Sequence, residues 1–178
     1  MFKHLKESAI KNKWPQEKLF VLDICQQIHK HSEEFYLYLA GIHQEHSDIA
    51  RMWGLLAIDK CNHADTFKMV YRLKGEKLKE INVSTDAATN ILKRMKTIPK
   101  GNNCNPPSII DALRFSVKME EILGSVHFSQ VVKFTCEQDS ALMASSLQSN
   151  SSILHMMTEE YLSLTVLRAD SFEEFHFQ

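Results

Sequence analysis

The chain has 178 residues, of which 44% are apolar and 24% are charged, and its formal net charge is −1 at pH 7. This length and composition indicate a single globular domain with a substantial core, and they exclude extensive disorder. Because the chain has neither a basic stripe nor an apolar run of roughly 20 residues, we expect no nucleic-acid partner and no membrane span.

Two long helices are predicted in the first half of the chain, where apolar residues recur at helical spacing. The first begins after Pro15, which suits a first helical turn, and runs toward Gly41. The second begins at Ser47, a favourable N-cap, and stops at Gly75. Only a short turn separates them, so we expect antiparallel neighbours. The scarcity of glycine and proline argues against β-sheet.

A long connection over residues 76–105 follows the second helix. It contains a short helix pattern of its own, which opens at Ser84 and ends near Pro99. A bundle with one long central connection has the ferritin-like topology rather than the up-down-up-down topology. We therefore predict an all-α, ferritin-like antiparallel four-helix bundle whose crossover carries a short extra helix.

The third and fourth long helices are predicted in the second half of the chain. The third opens at Ser108, which has a capping-box-like partner three residues later, and its apolar pattern continues to Val131. The fourth ends near Ala169, but several serines, which are weak helix formers, leave its start open. The predicted bundle covers about residues 15–169 of a single domain, residues 1–178.

The most informative residues are Lys60 and His63 in the second helix. A Glu-x-x-His pair at this spacing puts a carboxylate and an imidazole on one helix face, aimed into the core of a bundle. Here a lysine stands in the carboxylate position. A cation at that position repels a metal ion.

The pattern resembles the rubrerythrin-like di-iron carboxylate proteins of the ferritin-like superfamily, over roughly residues 15–168. In such a protein each helix pair supplies one glutamate and one Glu-x-x-His. Glu120 resembles the single-glutamate ligand segment of the second pair. Alignment of the first helix places His29 where its glutamate is expected. The rubredoxin module of this family, a pair of Cys-x-x-Cys knuckles, is absent from the sequence.

The fourth helix does not restore a complete motif, because no register gives Glu-x-x-His. One register keeps a carboxylate, a second gives the better apolar face, and a third retains a histidine. The pairs of residues in these registers are Glu159 with Leu162, Thr158 with Tyr161, and Ser152 with His155.

The resemblance implies a metal site with His63, Glu120, His29 and Glu159 as ligands. Their mixed nitrogen and oxygen donors suit iron, manganese or zinc. We expect fewer than two ions per chain, because too few carboxylates remain to compensate two cations. The activity implied is that of a metal-dependent oxidoreductase, such as peroxide reduction. The sequence identifies neither a substrate nor a redox partner.

An alternative is a metal-free bundle that acts as a binding or assembly module. Glu120 in a bundle core needs a partner, since an unpaired buried carboxylate costs several kcal/mol. That partner could be a metal ion. It could equally be Lys60, whose ammonium would replace the metal charge in a buried ion pair.

Two further expectations concern partners and location. We predict a homodimer through a face of the first two helices, because Tyr36, Tyr38, Met52 and Trp53 make more aromatic and apolar surface than one core should need. The four cysteines form no Cys-x-x-Cys pair, and the amino terminus lacks a secretory signal pattern. We therefore expect reduced thiols and a cytoplasmic location.

Overall fold

The computed structural model describes residues 16–72, 78–98, 106–146 and 151–174. These residues are mostly helical, so the all-α prediction is confirmed at this coarse level. The elements in chain order are α1 (Gln16–Ile42), α2 (Ser47–Arg72), β1 (Leu78–Ile81), α3 (Thr85–Lys96), α4 (Ile109–Gly124), α5 (Phe128–Val131), β2 (Val132–Phe134), α6 (Glu137–Ser146) and α7 (Ser151–Glu174). In the described part of the chain, no helix is both long and apolar enough to cross a membrane.

The first two helices form the hairpin that the sequence predicts. α1 starts directly after Pro15, α2 starts at Ser47, and the two pack against each other along their length. Each helix buries one face, because apolar side chains recur every three or four residues. Leu22, Ile28 and Phe67 are among the fully buried side chains of these two helices.

The short helix predicted within the long connection is present as α3. It starts after Ser84, whose hydroxyl accepts a hydrogen bond from the backbone N–H of Ala87 at 3.2 Å. Its buried residues, Ala88, Leu92 and Met95, lie on one face, and the helix packs on α1. The long connection therefore returns across the first helix.

The start of α4 is predicted correctly, but its end is not. Ser108 caps the helix, since its hydroxyl accepts from the N–H of Asp111 at 3.2 Å and donates to the Asp111 carboxylate at 2.7 Å. The helix ends at Gly124 instead of continuing to Val131. The apolar residues beyond Gly124 are buried by a turn, the single-turn helix α5 and strand β2. A helical spacing of apolar residues does not distinguish these two arrangements.

We expect Ser108→Ala to lower the free energy of unfolding by about 1 kcal/mol, because the first turn of α4 loses its capping acceptor. Urea denaturation measures the change. Thr66→Ala is the control, since Thr66 bonds only to a carbonyl of its own helix and alanine has the higher helix propensity. Equal unfolding midpoints for Ser108→Ala and the parent would contradict the capping role.

A small antiparallel sheet departs from the prediction of helices alone. β1 lies in the long connection and β2 follows α5, with Leu78 opposite Phe134 and Ile81 opposite Val132. Strands of three or four residues are too short to show the alternation by which strands are recognised in a sequence. The backbone pairing in this sheet holds the long connection after α2 against the segment that follows α4.

α7 packs against α4 and also contacts α2. Leu154 and Thr158 are its buried residues among those whose side chains are described. The helix continues past the predicted end near Ala169 to Glu174.

The predicted aromatic surface on the first two helices is wrong. Tyr36 and Trp53 are 0% exposed and Met52 is 2% exposed, and both Tyr36 and Trp53 form hydrogen bonds to side chains of α4. Tyr38 is partly buried against the same core. The exposed large apolar side chains of this hairpin include Leu37 and Ile58 instead. The homodimer itself stays a prediction.

Candidate functional site

A buried ion pair joins α2 to α4. Lys60 Nζ lies 2.7 Å from Glu120 Oε2, and the two side chains are only 3% and 8% exposed. Lys60, one of the two partners considered for Glu120, is therefore in contact with it. A charge-assisted hydrogen bond of this length compensates part of the cost of removing both charges from water.

Tyr36 of α1 satisfies the second carboxylate oxygen. Its hydroxyl donates to Glu120 Oε1 at 2.7 Å. Burial raises the pKa of Tyr36 well above its ordinary value, and the neighbouring Glu120 charge raises it further. The phenol therefore stays protonated, and it remains a hydrogen-bond donor throughout the neutral range.

A second polar contact sets the position of α4 on α2. The indole N–H of Trp53 donates to Ser116 Oγ at 3.1 Å, and that hydroxyl donates to the carbonyl of Ala112 at 2.8 Å. Ser116 lies one helical turn before Glu120 and on the same face. The contact therefore helps to align Glu120 with Lys60.

Three histidines lie side by side next to the ion pair, and we call them the imidazole cluster: His29, His63 and His127. The ring centres of His29 and His63 are 5.0 Å apart, and those of His63 and His127 are 4.6 Å apart. His29 also stacks on Phe67. His63 is thus the central member, between a residue of α1 and the N-cap residue of α5.

The hydrogen bonding of the imidazole cluster is incomplete. His29 Nε2 lies 3.3 Å from the carbonyl oxygen of Val126, so this nitrogen carries the proton and donates. His29 Nδ1 and both ring nitrogens of His63 are buried and have no hydrogen-bond partner among the described residues. Buried polar atoms of this kind are rare in folded proteins, and they mark a place where a ligand could bind.

Burial keeps the imidazole cluster uncharged. Burial, together with smaller contributions from the neighbouring Lys60 and His127, lowers the pKa of His63 to about 3. Burial also lowers the pKa of His29 well below its ordinary value and lowers that of His127. At pH 7 each ring therefore presents one N–H donor and one lone pair.

A cleft of about 290 Å³ opens beside these groups. The residues that line it include His29, Lys60, Glu120, His127 and His155. The ion pair and two members of the imidazole cluster therefore meet the same space. The cleft therefore reaches the polar centre of the fold.

The structure brings together three of the four predicted metal ligands. His29 adjoins His63, and His29 and Glu120 line the same cleft. Glu159 is exposed on α7 and is not among the residues that line the cleft. The register of α7 that faces the core is the one with Thr158, which is buried.

Two members of the site were not identified from the sequence. Tyr36 lies seven residues after His29, two helical turns along the same face, and this spacing could have assigned it to the interior. His127 falls within the predicted third helix. Its position depends on the early end of α4 at Gly124, and a glycine there is the signal that could have placed the end of the helix.

The donor set does not fit a di-iron centre. The Glu120 carboxylate is already bonded to an ammonium and a phenol, and Glu121 is the one other carboxylate among the residues that line the cleft. Two ferrous or ferric ions need several bridging carboxylates to balance their charge. In the part of the chain that the structure describes, no three or more His, Cys, Asp or Glu side chains form a group that could hold a metal ion.

Comparisons with known protein families, with curated protein sequences and with solved structures give no significant match to this chain.

Proposed function

We propose that this chain is a rubrerythrin-like bundle of the ferritin-like superfamily in which an internal ion pair replaces the di-iron centre, and that it acts as a binding or assembly module. The fold part of the proposal is supported by element order. Two long antiparallel helices are followed by a long connection with its own helix, and α4 and α7 then pack against each other. This order is that of a ferritin-like bundle with one crossover.

The observation that supports the proposed function best is the contact between Lys60 and Glu120. An ammonium placed 2.7 Å from the carboxylate supplies the positive charge that a metal ion would supply in a di-iron protein. It needs no bound ion for charge balance. The centre of the bundle is then a structural element, and the cleft beside it is the place where a small ligand would bind.

The exposed apolar side chains on the outer faces of α1 and α2 support assembly. Leu37 is 55% exposed and Ile58 is 58% exposed. Large apolar residues in such positions are common where two proteins meet. They take the place of the buried aromatic residues as the basis for the proposed homodimer.

The replacement of the metal by Lys60 can be tested with Lys60→Glu. This variant restores Glu-x-x-His with His63, so we expect it to bind Mn²⁺ or anaerobic Fe²⁺ and to be stabilised by about 2.7 kcal/mol at a metal concentration of 100 times its Kd. The parent should show no such gain. Thermal melts with and without metal measure both, and Lys68→Glu, at an exposed position of α2, is the matched control.

Two iron ions per parent chain, with the absorption of an oxo-bridged pair, would contradict the proposal. So would a Lys60→Glu variant whose melting temperature is unchanged by metal while its fold is intact.

A second candidate function is a single-metal site at the imidazole cluster, with iron, manganese or zinc and oxidoreductase chemistry. The free ring nitrogens of His29 and His63 favour it. A histidine that binds a metal commonly donates its other N–H to a backbone carbonyl, as His29 does to Val126. One ion bound by the parent and lost in His63→Gln would favour this candidate over the metal-free module.

A further inference from the structure

We propose that Lys60 and Glu120 condense to form an amide crosslink between α2 and α4. The inference rests on the contact used for the proposed function and adds a covalent step to it. Each reacting group is fixed in place by the fold, and each is almost fully buried. The nearest hydrogen-bonding group, Tyr36, holds the carboxylate oxygen that does not contact the lysine.

The reacting atoms are already close. A nitrogen 2.7 Å from one oxygen of a carboxylate lies within roughly 3 to 3.5 Å of the carboxylate carbon, the separation from which bond formation proceeds. A shift of one proton along the Nζ to Oε2 hydrogen bond converts the pair into an amine and a carboxylic acid, which are the reactive forms.

The condensation needs no oxidant, reductant or co-reactant. The lone pair of Lys60 Nζ forms a bond to Glu120 Cδ, and the bond from Cδ to Oε2 breaks. Oε2 leaves as water with two of the three hydrogens of the original ammonium, and the third stays on the amide nitrogen. Negative charge that develops on Oε1 during the step is stabilised by the Tyr36 hydroxyl, which already donates to that atom.

The cleft supplies the remaining requirement, which is an exit for the water that leaves. Lys60 and Glu120 both line it, so the released water has a path out of the core. The second proton can pass from the attacking nitrogen to the leaving oxygen directly, because these two atoms already share a hydrogen bond.

The crosslink would close a long chain segment, because its two ends are 60 residues apart in the sequence. Such a bond restricts the unfolded chain in the same way as a disulfide does. Unlike a disulfide, it is insensitive to reductant. It would fix α4 on α2 in a cell compartment where thiols remain reduced.

Intact mass spectrometry of the purified, fully denatured chain tests the proposal. We expect the parent to be lighter than its sequence mass by one water molecule. Trypsin should fail to cut after Lys60, and the digest should contain a branched species in which residues 52–68 are joined to residues 119–133. The parent is measured at once after purification and again after prolonged incubation.

Two variants give the comparison. Lys60→Arg keeps a cation beside Glu120 but cannot form this amide, so it should retain its full mass. Tyr36→Phe leaves both reacting groups in place and removes the hydrogen bond to Oε1, so crosslink formation should slow roughly 100-fold or more. Equal loss of water in Lys60→Arg would place the modification elsewhere and overturn the assignment.

A parent chain that keeps its full mass after incubation, with normal cleavage after Lys60, overturns the crosslink. That result leaves the proposed function standing, because the ion pair is tested separately by the metal response of Lys60→Glu.

Discussion

Lys60→Ala is expected to destabilise the fold by about 3 to 5 kcal/mol, the cost of breaking a buried ion pair from one side. The variant leaves the Glu120 carboxylate in the core with Tyr36 as its remaining partner. One neutral donor does not compensate a buried charge. The loss is therefore much larger than that of removing an exposed lysine.

Urea denaturation at pH 7 measures this effect. The control is Lys30→Ala, because Lys30 forms an ion pair with Glu33 on the surface of α1, and such pairs are worth at most about 1 kcal/mol. Lys60→Ala is also compared with Lys60→Arg. Neither variant can form the proposed amide, so the difference between their free energies of unfolding does not include the crosslink. If Lys60→Ala unfolds at the same urea concentration as Lys30→Ala, the ion pair has no stabilising role.

The fold is also expected to lose stability as the pH falls below about 6.5, because the imidazole cluster is held uncharged. The pKa of His63 in the fold is about 3, so the unfolded chain takes up a proton at a higher pH than the folded chain does. The contribution of His63 is therefore complete above pH 6.5 and is lost as the pH falls toward 3. From this residue alone the loss at pH 4.5 is about 2 to 3 kcal/mol.

The groups that face His63 explain the sign. A proton on His63 would place a cation beside Lys60 and between two further imidazoles, and burial would deprive it of water. His29 adds to the effect, since its pKa is also lowered.

Urea denaturation at a series of pH values tests the acid effect on parent, His63→Gln and His46→Gln. Glutamine is uncharged at every pH, so His63→Gln should show a flatter profile between pH 6.5 and 4.5. His46 is exposed in the turn after α1, and His46→Gln should follow the parent. Parallel profiles for the parent and His63→Gln would refute the role of the imidazole cluster.

The features predicted correctly from the sequence are those that depend on neighbouring residues. Ser84 and Ser108 mark two helix starts because a cap is defined by a few consecutive residues. The contact between Lys60 and Glu120 was predictable because both charged residues lie on helix faces that otherwise carry apolar residues. Two opposite charges in one core have few other partners.

The features that were missed depend on tertiary structure. The assignment of Tyr36 and Trp53 to the surface assumes that other residues fill the interior of the bundle. The structure shows that they are the donors that fix Glu120 and Ser116. His127 reaches the site because the chain turns after Gly124. The apolar spacing that continues past this residue predicts a longer helix, although a glycine commonly ends one.

The order of the elements along the chain has a consequence for how the protein folds during synthesis. Both strands, and with them Tyr36, Lys60, Glu120 and the imidazole cluster, precede α7 in the chain. When the nascent chain has left the ribosome as far as Phe134, all of these residues have therefore been made, and α7 has not. Domains begin to fold as they emerge from the ribosome. We expect α7 to dock last, onto a centre that is already assembled.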